Sequence, residues 1–458
     1  MKSKISLEAF HSMPVSQAVV KNALPAMITM LMFLVYNLAD TLFIGMTKNP
    51  YLVASISLCM PLFMAFTAFA NIFGMGGTSV ISRAMGENRC QYAKRVSSFC
   101  TWTGLAVGVI LSAVFLLFSK PILNGLGASS NTLAFAQDYL RIVAFSGPFI
   151  LLSGTFSKIL MADGQPKKAM MGSTLGNLLN LILDPIFILW FHWGIIGAAV
   201  ATLISNIISA GYYIFYFLKY KNLSSLSINI KDYSAKDKIC FNVLSIGIPA
   251  ALGALIMGVS TMFINKFMAG YGDMALAGIG VATKITMITS MICMGIGQGV
   301  QPLLGYCIGA KDTEHYYKTL RFSLIFALLV GVAMTLLCYL FTGQIVGAFL
   351  SDEKAFDYAF KFGRIFLTTS SLFGVFYVLV NSLQAMGAAI PALIVNISRQ
   401  GLIFIPTMYA LNMLIGIDGL AWAQPVADIL SLVLVAILSG VTSKKRLKKI
   451  EVVIDDRK

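Results

Sequence analysis

The chain has 458 residues, 58% of them hydrophobic and only 12% charged, with a formal net charge of +15. A soluble domain carries roughly 25% charged residues, so this composition excludes a water-clad globule. The surplus Lys and Arg fall in alternate loops, a topological pattern rather than a basic binding face, and no nucleic-acid partner is expected.

Apolar runs of about 20 residues, each able to cross roughly 30 Å of hydrocarbon as a helix, predict twelve spans. In chain order they fall near 20–46, 52–78, 97–118, 137–161, 169–191, 195–218, 239–269, 275–305, 321–341, 360–385, 390–411 and 416–441. No alternating pattern of about ten residues appears, which argues against a membrane β-barrel. The first span is too long for a signal peptide, carries Asp40 and lacks a small-residue cleavage site, so it is expected to stay in the mature protein. The longest polar connection, 219–238, divides the chain near its midpoint. The predicted organisation is therefore an amino-terminal six-helix lobe (1–218), a cytoplasmic linker (219–238), a carboxyl-terminal six-helix lobe (239–441) and a basic cytoplasmic tail (442–458).

About 24 basic residues lie in one set of loops and the termini, from Lys2, Lys4 and Lys21 through Arg83–Arg95, Lys167, Lys168, Lys219–Lys238 and Lys311–Arg321 to Lys444–Lys458. The opposite loops hold about three, Lys48, Lys120 and Lys354. Both termini are thus expected in the cytoplasm, with Lys444, Lys445, Arg446, Lys448 and Lys449 meeting anionic headgroups. The seven cysteines lack C-x-x-C spacing and read as packing residues. His11, His192 and His315 show no metal-ligand spacing, and no G-x-x-x-x-G-K-[ST] loop or dinucleotide fingerprint occurs. An enzyme or ATP-driven motor is not expected, and neither is a cofactor.

The chain repeats itself with an offset of about 223 residues: Leu24-Pro25-Ala26 on Ile248-Pro249-Ala250, and Gly74/Gly76/Gly86 on Gly297/Gly299/Gly309. Gly164 falls on Gly387, Pro185 on Pro406, and Gly194 and Gly197 on Gly416 and Gly419. Six spans per copy start both halves on the same side, which implies a pseudo-two-fold axis along the membrane normal, an arrangement used by alternating-access transporters.

Five stretches carry a family resemblance over nearly the whole chain: Asn37-Leu-Ala-Asp40-Thr-Leu-Phe-Ile-Gly45, Gly77-Thr-Ser-Val-Ile-Ser-Arg-Ala-Met-Gly86, Asn180-Leu-Ile-Leu-Asp184-Pro185, Gly295-Ile-Gly-Gln-Gly-Val-Gln-Pro302, and Gln384-Ala-Met-Gly387 with Arg399-Gln400-Gly401. In this order they resemble the multidrug and toxic compound extrusion (MATE) family, in its DinF-like and MepA-like bacterial branch. The resemblance implies a twelve-helix, two-lobed exporter in the bacterial cytoplasmic membrane, driven by proton or sodium entry and acting on amphipathic, mostly cationic organic compounds. By position it assigns Asp40, Tyr139, Asn180, Asp184 and Thr202 to an amino-lobe cation site and Pro25 to a bend in the first span. A monomer is expected. The alternatives are a flippase of a lipid-linked precursor, which usually carries fourteen spans and a cationic cavity, and an exporter of one native metabolite.

The cost of intramembrane charge leads to the same lobe, since Asp40 and Asp184 have no evident local cation. Asn177, Asn180 and Asp184 share one helix face, and with Asp40 and Thr202 they offer hard oxygens suited to sodium; the same carboxylates kept protonated would carry protons instead. In the repeat Asp184 falls on Ile405 and Asp40 near Ile264, so the acids belong to one half. The other half keeps Lys284, Gln298, Arg399 and Asp428. With Asn37 and Asn177 these are candidates for a substrate cavity or a second polar site, Arg399 and Asp428 being expected to pair and neutralise each other. Lys158 and Lys266 can snorkel from span ends. The methionine-rich stretches Met257–Met268 and Met287–Met294 read chiefly as packing, as do the G-x-x-x-G pairs Gly104/Gly108 and Gly172/Gly176.

Overall fold

The structure is a computed structural model that describes residues 13–47, 50–221, 224–350 and 352–455. Lys2, Lys4, His11, Lys48, Arg457 and Lys458, and the side chains of Lys448 and Lys449, lie outside the described residues. Among those described there is no strand, and the predicted spans are helical. In the first half these are α1 (Val15–Gly45), α2 (Pro50–Gly86), α3 (Cys90–Leu117), a short α4 (Ser119–Gly125), α5 (Leu133–Ala162), α6 (Pro166–Pro185) and α7 (Gly194–Lys219). The second half has α8 (Ile239–Ala269), α9 (Asp273–Gly309), α10 (Thr313–Leu340), a short α11 (Thr342–Phe349), α12 (Glu353–Ser370), α13 (Phe373–Ala385), α14 (Ala389–Ile397), α15 (Phe404–Ile415) and α16 (Ile417–Asp455).

Among the described residues eleven helical stretches are long and apolar enough to cross a membrane alone, and the pair α12–α13, counted as one bent span, gives a twelfth. The tenth span, expected to be one helix, is instead bent by 49° between Ser370 and Phe373. Just before the break Thr368 and Ser370 donate to the carbonyls of Ile365 (2.6 Å) and Phe366 (3.0 Å), bonds that favour a bend without forcing one. A single π-turn, Ile186–Trp190, follows α6 directly after Pro185, and another, Ser398–Leu402, follows α14. Such turns gather at functional positions.

The chain forms two compact units whose borders differ from the sequence halves. One comprises residues 28–247; the other joins 248 onward to the segment ending at Met27. The border thus cuts α1 beside Pro25 and α8 beside Pro249. Glycines show why. A Cβ at Gly76 would stand 2.2 Å from the Val243 carbonyl, and one at Gly247 would stand 2.0 Å from that of Ile72, so α2 and the first turns of α8 touch backbone to backbone. In the other unit a Cβ at Gly299 or Gly295 would be 2.7 Å from the Cα of Ala23 or Met27. Each unit therefore takes up the opening turns of the other half's first helix. The segment 224–238, expected as a lobe linker, belongs to the first unit.

Within the first unit a core of Phe66, Leu140, Leu151, Tyr139 and Ile188 joins α2, α5 and the turn after α6. Gly172 sits under the Tyr213 ring and Gly108 under Pro148, so both G-x-x-x-G pairs mark close helix contacts. In the second unit Phe362, Phe404, Met408 and Leu420 form the corresponding core.

Candidate functional site

The polar site of the first unit is assembled by four helices. Asp40 and Tyr36 lie one turn apart on α1, which puts their side chains on one face. Tyr139 comes from α5, Asn180 and Asp184 from α6, and Thr202 from α7. Asp184 is fully buried, Asn180, Thr202 and Tyr139 are nearly so, and Asp40 is half-buried. With its amide oriented to satisfy both neighbours, Asn180 Nδ2 donates to Asp184 Oδ2 at 2.8 Å and its Oδ1 accepts from the Thr202 backbone N–H at 3.2 Å. The Tyr36 hydroxyl lies against the Thr202 side chain and within electrostatic range of both acids. Tyr139 senses Asp40, Tyr36 and Asp184, and Asp184 senses Asp40.

The structure therefore brings together the five residues assigned by position and adds Tyr36. The signal for it was present in the sequence: a phenol four residues before an intramembrane acid shares that acid's helix face. Asn37 instead turns its amide back onto the Phe33 carbonyl at 2.7 Å, and Asn177 lies half-buried one turn before Asn180. Asp184 Oδ1 is buried with no hydrogen-bond partner among the described residues, and neither acid forms an ion pair there. Two carboxylates in a nearly dry site repel each other, so a proton or small cation placed between them relieves a large electrostatic cost. No three His, Cys, Asp or Glu side chains gather among the described residues. A sodium ion here would be held by two carboxylates, an amide and a hydroxyl, a hard oxygen set that suits it.

The second unit shows different chemistry. Arg399, carried on the π-turn after α14, places Nε 2.9 Å from Asp428 Oδ1 on α16. Gln424 donates to the same oxygen at 3.0 Å and Thr369 to the other at 3.4 Å. The guanidinium also donates to the Tyr377 hydroxyl at 3.3 Å and lies 4.9 and 4.7 Å from the ring centres of Phe373 and Phe376. Both carboxylate oxygens of Asp428, and Nε and one terminal nitrogen of Arg399, are engaged. Lys284 is half-buried with its ammonium 5.3 Å from the Phe349 ring, and Gln298 is half-buried on α9. Gln301, absent from the candidates, is fully buried with neither side-chain polar atom bonded to a described residue.

Among the described residues, eleven apolar helical spans and a twelfth bent one, with two acids buried within them, define a polytopic membrane protein. The MatE family model matches residues 25–186 and 249–410, the two repeats read from the sequence. The chain belongs to the MATE family; it is a multi-pass membrane transporter and not an enzyme. The multidrug export protein MepA of Staphylococcus aureus strain MRSA252 is 32% identical over 420 residues, covering 92% of each chain. MepA of Staphylococcus haemolyticus is 33% identical over 421 residues with the same coverage. A crystal structure of MATE in its straight conformation superposes with a TM-score of 0.91 at 23% identity, covering 98% of this chain and all of the other. A transporter of the MOP superfamily from Pyrococcus furiosus, whose binding pocket is described as reversed in polarity, gives 0.89 at 24% identity over 98% of this chain and all of that one. These two show a shared fold.

Proposed function

We propose that the protein is a cation-coupled antiporter that exports amphipathic, mostly cationic organic compounds by alternating access, with proton or sodium as the coupling ion. The observation that carries this reading is the acid pair Asp40 and Asp184. It is knit together by Asn180, Thr202, Tyr139 and Tyr36, lies beside no cation among the described residues, and leaves Asp184 Oδ1 open. The MepA relatives, named for multidrug export, support the substrate class.

Entry of a cation neutralises the pair and lets α1 pack more closely on α6 and α7. Pro25 has no backbone N–H to give to the hydrogen-bond ladder of α1, and in this reading it supplies the hinge for that repacking. Arg399 and Asp428 hold the second unit together, because their charges neutralise each other. The protein sits in the bacterial cytoplasmic membrane with both termini in the cytoplasm, and works as a monomer.

Reconstituted vesicles test this directly. Efflux of a cationic dye should follow an imposed proton or sodium gradient, and Asp40→Asn with Asp184→Asn should abolish it while the protein still inserts and folds. Undiminished gradient-driven efflux by the double variant would reject the site. Gradient-independent movement of a lipid-linked precursor would favour a flippase instead.

A further inference from the structure

The polar groups of the first unit continue past the acid pair. On α7, Thr202, Ser205, Ser209 and Tyr213 are spaced three, four and four residues apart, which sets their side chains along one helix face. All four are buried, whereas Ile207, Ile208 and Phe215 of the same helix are exposed. α6 meets the buried face with glycines. A Cβ at Gly176 would stand 3.0 Å from that of Ser209, and one at Gly172 would stand 2.3 Å from the Tyr213 ring. Ser173, Asn177, Asn180 and Asp184, at matching intervals, share one face of α6. A polar seam therefore runs between the two helices from Asp184 toward the start of α6.

The far end of the seam is a bonded chain of hydroxyls. Ser209 Oγ donates to the Gly172 carbonyl at 3.0 Å. The Tyr213 hydroxyl has one hydrogen and two oxygens within reach, the Ala169 carbonyl at 2.6 Å and Ser173 Oγ at 2.9 Å. Ser173 in turn donates to Ser157 Oγ on α5 at 3.0 Å. Ser173 and Ser157 are only half-buried, so the chain emerges there. Ser205 stands between this chain and the acid site, and its buried Oγ has no hydrogen-bond partner among the described residues. A buried hydroxyl in that position calls for a bridging water. Along the helix Ser205 is about 4.5 Å from Thr202 and about 6 Å from Ser209. One water with two bonds of about 2.8 Å spans roughly 5 Å.

We propose that this seam is the route by which a proton leaves the acid pair for the cytoplasm, passing through the hydroxyls of Tyr36 and Thr202 to Ser205 and then by Ser209, Tyr213 and Ser173 to Ser157. The inference rests on the acid site proposed above and takes the proton as its coupling ion. Each oxygen accepts a proton on a lone pair and passes its own hydrogen to the next, so one proton emerges for each that enters and nothing is consumed. Ser205 is the switch. Without a direct bond to either neighbour it conducts only while water bridges it, which keeps the seam from leaking protons continuously.

Reconstituted vesicles holding the full chain, a trapped pH indicator and a cationic dye read proton and dye movement separately. Ser205→Ala removes a hydroxyl that has no partner among the described residues, so it should melt and bind dye like wild type. It should nevertheless slow proton movement and proton-driven efflux about tenfold or more. Tyr213→Phe, which keeps the ring over Gly172, should slow both to a similar degree. Ser112→Ala, which removes a buried hydroxyl bonded to the Ala144 carbonyl at 2.6 Å away from the seam, should move protons at the wild-type rate. A seam that served only to hold helices together would give the reverse ranking, since Ser205 alone of the three loses no bond. Wild-type proton movement in Ser205→Ala or in Tyr213→Phe overturns the route, and the acid site still stands if Asp40→Asn with Asp184→Asn is inactive. Efflux that follows sodium with no proton movement also overturns the route and keeps the site. An active acid double variant rejects both. Should Tyr213→Phe fail to fold, Ser205→Ala decides the matter.

Discussion

Replacing Asp428 by Asn tests whether the second unit's ion pair is a brace. The two side chains are 9% and 4% exposed, so water cannot take over the guanidinium once its partner is neutral. Removing one partner of a buried pair costs about 3–5 kcal/mol. The rings of Phe373 and Phe376 and the Tyr377 hydroxyl continue to hold the cation, which places the expected loss near the lower end, about 3 kcal/mol. For a unit of about 200 residues each kcal/mol lowers the melting temperature by roughly 2–4 °C, so a drop of about 6–12 °C is expected. Cys293, Cys307 and Cys338 are buried thiols of the same unit, and a thiol-reactive dye during a thermal ramp reports its opening. Arg399→Met with Asp428→Leu should regain most of the loss, since a matched apolar pair leaves no charge unpaired. A melting temperature within about 1 °C of wild type for Asp428→Asn, or a double variant worse than either single one, would refute the brace and return the pair to the candidates for substrate recognition.

Other outcomes follow from the same contacts. Gly247→Val and Gly299→Val should each cost about 1–3 kcal/mol by driving a side chain into backbone 2.0 and 2.7 Å away, while Gly211→Val, which meets nothing within 4 Å, should unfold like wild type in the same dye assay. Equal melting of all three would show that the close approaches carry no load. Tyr36→Phe removes the hydroxyl beside Thr202 and both acids, and should lower gradient-driven efflux about tenfold while the protein still inserts and folds. Full activity in that variant would make Tyr36 a bystander.

Much of this was legible in the residues because membrane helices obey coarse rules. Span length, loop charge and the cost of an intramembrane carboxylate located twelve helices and the amino-half acids without reference to packing. What escaped depends on contacts between distant segments. Hydropathy cannot show a 49° bend at Ser371 and Leu372, because the bent pair together is as long and apolar as an unbroken span. Nor could composition show that 224–237 is a bonded strap, since its partners Ser97, Ser98 and Trp102 lie more than a hundred residues away. Tyr36 was overlooked because a tyrosine in a hydrophobic helix carries no cost that demands an explanation.

The repeat itself separates scaffold from site. Gly194 and Gly416 occupy matching places and both have positive φ, 53° and 61°, where a side chain would be strained. Gly197 and Gly419, three residues on, each let a helix press on the turn before it, with a Cβ 2.8 Å from Phe187 and 2.0 Å from Leu411. Even the short helices α4 and α11 begin at equivalent residues, Ser119 and Thr342. These positions answer to backbone sterics, which are the same in both halves, and so both halves keep the same answer. Asp184 and its counterpart Ile405 answer to no such demand. The fold stands with an aliphatic residue there in one copy, so the acid in the other is not required by the architecture. Its buried oxygen, without a hydrogen-bond partner among the described residues, is what the proposed cation site would draw on.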